Sequence, residues 1–113
     1  MDSPEGIYGI LFSGAHSTGG GMLVLLGGQI TGADEAGVEY NGTYEYSQGR
    51  LNLLLQISAP EGVTLVTGAT SGRLPMTMSF PVSLPFPFGK SHVQRISTPT
   101  GQINVRVQRL RAL

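Results

Sequence analysis

The side chains that could carry out chemistry are few in this sequence: two histidines and one adjacent pair of carboxylates. His16 follows Ser13 after two residues, and Asp34 precedes Glu35, so the residue types of a nucleophilic triad are all present. Many hydrolases of that type place their serine in a G-x-S-x-G turn, and no such turn occurs here. His92 stands alone, and no H-x-H or H-x-x-x-H spacing supplies paired metal ligands. The sequence therefore predicts no catalytic residue, no metal site and no cofactor.

The glycine run Gly19-Gly20-Gly21 is unsuited to phosphate binding. A phosphate-binding loop continues into Lys-Ser or Lys-Thr and then a helix, whereas this run leads into bulky apolar residues. Asp34 and Glu35 fall in a glycine-bounded turn, a position that favours aspartate because its side chain stabilises turn geometry. We expect this pair to form a solvated hairpin tip, and the alternative is an acidic contact for a basic protein partner.

The composition indicates one domain, residues 1–113, with an unusually uncharged surface. Charged residues make up 12% of the chain, against about 25% in typical domains, and 40% are hydrophobic. Few charges therefore keep molecules apart, which favours self-association or a ligand-filled interior. A formal net charge of zero argues against nucleic-acid binding.

The location of the protein is predicted from what the sequence lacks. It contains no cysteine, which fits the reducing cytoplasm. The acidic N-terminus has no apolar signal segment. The longest bulky apolar runs, such as Met22–Leu26, are far shorter than the ~20 residues of a membrane-spanning helix. We therefore expect a cytoplasmic protein without a membrane span.

The charges are unevenly distributed along the chain. All seven acids lie in residues 1–61 together with Arg50, which gives that half a formal charge of −6. The other six bases lie in residues 62–113, which contain no acid, so this half carries +6. Ordinary cross-strand charge pairing within a barrel is one interpretation. The other is a two-signed surface that pairs head-to-tail or in a two-fold dimer.

Alternating apolar residues and glycine turns predict a β-meander. Gly27-Gly28 is a two-residue hairpin turn, because glycine adopts positive φ without steric cost. Within Arg50–Ser58, four apolar residues share one face with period two. Gly89–Gly101 is predicted as a loop with brief pairing at Val93–Ile96. The predicted strands are Gly6–Ser13, Met22–Leu26, Gln29–Thr31, Val38–Tyr46, Arg50–Ser58, Val63–Thr67, the first part of Arg73–Phe88, and Gln102–Leu110.

Arg73–Phe88 is the most regular stretch, with large apolar residues at every even position. Its first part predicts a strand with four inward side chains. From Pro81 onward the chain should lie on a sheet edge or leave the sheet, because proline cannot donate to a ladder. Two alternatives remain for Leu84, Phe86 and Phe88: they cap one end of the core, or they form an exposed ribbon that docks a second subunit or another protein.

About eight short strands with next-neighbour connections predict an all-β fold, a small eight-stranded antiparallel up-and-down barrel. An immunoglobulin-like sandwich is the alternative. The interior of such a barrel is either filled by side chains or holds one small ligand. The side chains predicted to line it are Leu74, Met76, Met78, Phe80, Tyr40 and Tyr44.

The first half of the chain contains four short motifs: Gly6-Ile7-Tyr8, Gly19-x-Gly21-x-Leu23, Gly28-x-Ile30-Thr31-Gly32-x-Asp34 and Tyr40-x-Gly42. Together they resemble the GrlR family, negative regulators of type III secretion in enteric bacteria. The resemblance is close over residues 5–46 and extends to the rest only as a strand pattern. It implies a lipocalin-like barrel, a homodimer, a non-catalytic role in binding a regulatory protein partner, and lipid-like ligands in the barrel.

The family's acidic partner-binding run is missing from the corresponding turn. That turn is Tyr46-Ser47-Gln48-Gly49, which contains no acid, so the family's partner-binding residues have no counterpart here. The primary prediction is a dimeric, non-catalytic barrel that acts as a protein-binding regulatory module. The alternative is a carrier or sensor of a small apolar ligand held inside the barrel.

Overall fold

The computed structural model describes residues 3–113, and its regular elements are all β-strands. No helix capable of crossing a membrane occurs within this range. The predicted all-β, eight-stranded antiparallel architecture is confirmed. The strands are β1 (Gly6–Ser13), β2 (Thr18–Leu26), β3 (Gln29–Asp34), β4 (Glu39–Ser47), β5 (Arg50–Ala59), β6 (Met76–Pro85), β7 (Ser91–Thr98) and β8 (Gly101–Ala112).

All eight strands form one antiparallel sheet in the order β6-β5-β4-β3-β2-β1-β8-β7. Neighbours in the sheet are neighbours in sequence except at β1 and β8, which pair along the whole of β1. This pairing curls the sheet into a nearly closed barrel with β6 and β7 at its edges. Gln94 on β7 reaches across the remaining gap, because its side-chain amide donates to the carbonyl oxygen of Ser83 on β6 at 2.9 Å.

The two edge strands test the predictions made for the second half of the chain. Pro81 and Pro85 lie in β6, so the expectation of an edge position is confirmed. The predicted strand Val63–Thr67 is wrong: this segment lies in the loop between β5 and β6, where only Thr64 and Thr70 form an isolated bridge. The loop predicted for Gly89–Gly101 is also wrong, since β7 occupies most of it, but the predicted pairing at Val93–Ile96 lies within this strand and is confirmed.

Both errors have a physical cause. The inner positions of β7 include His92, Gln94 and Thr98, so this strand lacks the apolar alternation that identifies a strand. Its apolar Val93 faces outward instead. In the β5–β6 loop, Val63 and Leu65 are spaced like strand residues, but they pack against the core from outside the sheet.

The core consists of the inward-facing side chains of the strands. Tyr8, Leu25 and Leu51 are the most deeply buried of the large ones. The predicted phases are confirmed in β5 and β6, where Leu53 faces Val82 and Leu51 faces Leu84 across the ladder. The buried side chains of the described residues are aliphatic or aromatic, and the hydroxyl of buried Tyr8 donates a hydrogen bond to the carbonyl oxygen of Pro4.

Glycine is needed at two places for different reasons. Gly27 and Gly28 have φ values of 61° and 81°, which confirms the predicted hairpin turn between β2 and β3. Gly42, in the middle of β4, has a φ of 148°, and a Cβ atom there would collide with the carbonyl oxygen of Leu54 on β5. Glycine at this position therefore lets β4 and β5 approach closely.

Candidate functional site

The barrel encloses an apolar cavity of about 120 Å³. Side chains from all eight strands line it, and most are aliphatic or aromatic. Apolar cavities of about 150 Å³ can stay dry and bind a molecule the size of benzene. The interior is therefore neither fully packed nor a wide channel, and it matches the space that one small apolar molecule requires.

Aromatic rings close the end of the barrel at which β1 begins. Phe86 makes edge-to-face contacts with Tyr46 and Phe88, with ring centroids 5.4 Å and 5.9 Å apart. Phe88 in turn lies 6.4 Å from Tyr8 and 5.9 Å from the ring of His92. The Tyr46 hydroxyl donates to the carbonyl oxygen of Phe86 at 3.2 Å. The rings thus form a continuous apolar floor beneath the cavity.

Arg109 holds the N-terminal segment against this floor. Its Nη2 donates to the carbonyl oxygens of Ser3 and Glu5, each at 2.6 Å. Its guanidinium carbon lies 5.9 Å from the Tyr8 ring centroid and 5.6 Å from that of Phe86. Both distances are typical of cation–π contacts. The arginine therefore satisfies backbone carbonyls and packs on the aromatic floor at the same time.

This arrangement decides between the two alternatives for the proline-rich segment. Leu84 and Phe86 are only 3% and 4% exposed, and Phe88 is partly buried against the core. They cap one end of the core, and the alternative of an exposed docking ribbon is wrong. The reason is the register of β6 with β5, which continues the inward phase of the even-numbered residues from Met76 to Leu84.

The opposite end is covered by the loop between β5 and β6. The carbonyl oxygen of Val66 accepts hydrogen bonds from the backbone amides of His16 and Ser17, at 2.8 Å and 3.1 Å. The hydroxyls of Thr67 and Thr100 are 3.0 Å apart and join the loop to the β7–β8 turn. The loop is thereby fixed across the mouth of the cavity.

One carboxylate lines the cavity near this covered end. Asp34 Oδ2 accepts a hydrogen bond from the Tyr40 hydroxyl at 2.7 Å. Its Oδ1 accepts from the backbone amides of Ala36 and Val38, at 2.9 Å and 3.1 Å. Burial of the ring, then the hydrogen bond to Asp34 and its negative charge, raise the pKa of Tyr40 well above the ordinary value of 10.0.

The predicted lining residues are divided by the structure into three groups. Tyr40, Met78 and Phe80 line the cavity. Met76 and Tyr44 are partly buried and pack against the core without lining it. The prediction for Leu74 is wrong: its side chain is 75% exposed, because β6 begins only at Met76 and Leu74 belongs to the preceding loop.

The turn with Asp34 and Glu35, for which a contact with a basic partner is the alternative prediction, has a structural role within the barrel. Asp34 stabilises the β3–β4 turn through its three hydrogen bonds and is only partly exposed. Glu35 is exposed at the tip, and its backbone amide donates to Gly20 at 3.3 Å. A contact of this turn with a basic partner stays a prediction.

The two histidines do not line the cavity. His16 lies in the β1–β2 turn and His92 at the start of β7, so the two are at opposite ends of the barrel. His92 Nε2 lies 2.8 Å from the side-chain oxygen of Gln94. Within the described residues, no three His, Cys, Asp or Glu side chains are grouped closely enough to hold a metal ion.

Sequence reasoning missed Arg109 and the threonines at the mouth of the cavity. The inward phase of β8 runs through Ile103, Val105 and Val107, and two more residues along lies Arg109. Period-two alternation therefore pointed to an inward arginine, although its charge argued against that position. Thr67 was placed in a strand that does not form, so its contact with Thr100 could not be anticipated.

Comparison with known proteins does not assign this chain to a family. No protein-family model matches this chain, and no curated protein matches it significantly.

We expect Arg109→Lys to lower the free energy of unfolding by about 1–3 kcal/mol, because lysine cannot reproduce the paired hydrogen bonds or the stacking of a guanidinium. Urea unfolding measures the change. Arg111→Lys is the matched control, since Arg111 is an exposed residue of the same strand and should shift stability by less than about 0.5 kcal/mol. Equal effects of the two substitutions would contradict the role given to Arg109.

The raised pKa of Tyr40 predicts a loss of stability in alkali. Above about pH 10 the unfolded tyrosine releases its proton while the folded one retains it, so the free energy of unfolding falls by up to about 1.4 kcal/mol per pH unit. Below pH 10 this contribution is fully present. Urea unfolding between pH 8 and 11 should show a shallower decline for Tyr40→Phe than for the wild type, and identical declines would sink the idea.

Proposed function

We propose that this protein is a non-catalytic barrel that binds one small apolar molecule in its interior. The single observation that carries the proposal is the cavity of about 120 Å³, whose lining is mostly apolar. Burial of an apolar ligand there would be driven by the same removal of apolar surface from water that stabilises the core. The floor and the covering loop restrict access to the cavity, and we propose that such a ligand is carried or sensed.

The ligand is expected to be small. A volume of about 120 Å³ corresponds to one ring or a short aliphatic chain, and a long acyl chain would need more space. Cytoplasmic action, which the absence of cysteine favours, is part of the proposal.

Native mass spectrometry of freshly purified protein is the first measurement, because one spectrum gives both a retained ligand mass and the number of subunits. Toluene is then added as a defined probe. We expect it to raise the melting temperature of the wild type by several degrees at concentrations far above its dissociation constant, because it binds only the folded state.

Two neighbouring leucines provide a matched test of location. Leu53 lines the cavity, while Leu54 points outward and is 55% exposed. In Leu53→Trp the indole should occupy the cavity and abolish stabilisation by toluene, and Leu54→Trp should retain it. The chain has no other tryptophan, so indole fluorescence also reports whether each variant is folded. If toluene stabilises neither the wild type nor Leu54→Trp, the proposal is wrong.

A protein-binding module is the second candidate, and an exposed apolar sheet face favours it. Leu11, Met22, Val93 and Leu110 are each between 47% and 63% exposed and line one groove on the outside of β1, β2, β7 and β8. Leu11 is paired on one side with Gly20, whose lack of a side chain leaves the groove open. Apolar patches of this kind often mark interaction sites.

The charges around this groove suit a second copy of the same chain. Arg95 and Arg106 lie on the β7–β8 side, and Glu35, Glu39 and Glu45 lie on the β3–β4 side. A two-fold axis parallel to the strands would bring the basic flank of one copy opposite the acidic flank of the other. The resemblance to a dimeric regulator family agrees with this candidate, and the same face is then the place for a regulatory partner.

Leu11→Gln should weaken such a dimer, because it buries an amide in an apolar interface without a hydrogen-bond partner. Leu54→Gln is the control, since Leu54 is similarly exposed on β5 and outside the groove. Analytical ultracentrifugation over a range of concentrations gives the dissociation constant, and we expect at least a tenfold increase for Leu11→Gln alone. A monomeric wild type, or an equal response of the two variants, would refute this candidate.

A further inference from the structure

We propose that the interior ligand carries one hydrogen-bond donor, a hydroxyl or an N–H group on an otherwise apolar body, and that it is oriented by Asp34. This inference rests on the proposed binding of a small molecule in the cavity and specifies its chemical class. Asp34 is the only charged residue among those that line the cavity in the described part of the chain. Its carboxylate is therefore the natural partner for a polar group on the ligand.

The hydrogen bonds of Asp34 leave room for such a partner. A carboxylate offers about four acceptor positions on its two oxygens. The amides of Ala36 and Val38 occupy two on Oδ1, and the Tyr40 hydroxyl occupies one on Oδ2. Among the described residues no other donor bonds to this side chain, so one acceptor position remains on the oxygen that faces Tyr40.

The other polar groups around the cavity are less suited to this task. The hydroxyl of Thr98 donates to the carbonyl oxygen of Gly101 at 2.7 Å, and those of Thr67 and Thr100 bond to each other. The Tyr40 hydroxyl already donates to Asp34. This end of the cavity therefore provides a hydrogen-bond acceptor, which favours a ligand that carries a hydrogen-bond donor.

The position of Asp34 is fixed before any ligand binds. Its turn hydrogen bonds hold one oxygen, and the buried Tyr40 ring, only 8% exposed, holds the other. A ligand that donates to this carboxylate does so without the cost of ordering a mobile side chain. A ligand of the same shape without a donor would leave the acceptor position unused, so the two should be distinguished by affinity.

Phenol and toluene form a suitable pair of probes, because they have nearly the same shape and differ by a hydroxyl in place of a methyl group. Their dissociation constants are measured by calorimetry or by ligand-observed NMR on the wild type, on Asp34→Asn and on Glu35→Gln. Asp34→Asn keeps an oxygen for the two turn amides and places an NH₂ group, a donor, where Oδ2 accepts from Tyr40. Glu35→Gln is the control, since it removes an exposed charge from the same turn.

We expect the ratio of phenol affinity to toluene affinity to fall at least tenfold in Asp34→Asn and to stay within twofold in Glu35→Gln. The reason is that the loss of a hydrogen bond to a charged group lowers affinity by at least about tenfold. If both probes bind the wild type but the ratio is unchanged in Asp34→Asn, this inference is wrong while the proposed function stands. If neither probe binds the wild type, the proposed function fails as well.

A second variant guards against misfolding of the first. Tyr40→Phe removes one donor to Asp34 and thereby frees a further acceptor position on Oδ2. The ratio should then rise or remain high, in the opposite direction to Asp34→Asn. A fall in the ratio for Tyr40→Phe equal to that for Asp34→Asn would overturn the assignment of Asp34 as the orienting acceptor.

Discussion

The pairing of β1 with both β2 and β8 is the interaction on which the rest of the structure depends. It joins the first strand of the chain to the last and curls a meander into a barrel. Because side chains alternate along every strand, this closure points one face of all eight strands at a common interior. The core, the cavity and the two covered ends exist only as consequences of that closure.

Closure leaves two open ends, and the chain covers them in different ways. At one end, aromatic rings pack together and Arg109 binds the carbonyl oxygens of the N-terminal segment, so a charged group is accommodated by hydrogen bonds and ring faces. At the other end, a loop without regular strands crosses the mouth and is fixed by backbone amides and threonine hydroxyls. The first end is closed by side chains of the core. The second is covered by a loop that lies beside Asp34, the only charged residue that lines the cavity in the described part of the chain.

The candidate site was only partly predictable, and the reasons differ between residues. Met78 and Phe80 were found because an uninterrupted period of two identifies the inward face of a strand. Leu74 continues the same pattern in sequence but lies beyond the end of β6, since periodicity does not reveal where pairing stops. Asp34 was assigned to an exposed tip because turn chemistry is local, and its position at the cavity depends on how the β3–β4 hairpin sits in the barrel.

By itself the sequence determined that five strands form in the first half, although β2 and β3 are longer than predicted, and it determined the Gly27-Gly28 turn and the inward phases of β5 and β6. These features depend on alternation and on glycine at positive φ, which are local properties. Only the tertiary structure decided that Leu84 and Phe86 are buried at one end of the core and that Arg109 turns inward. It alone also decided that β7 is a strand despite its polar inner face. It also decided that the interior retains an apolar cavity with a carboxylate at one end. These features arise from contacts between residues far apart in the chain, which only closure of the barrel brings together.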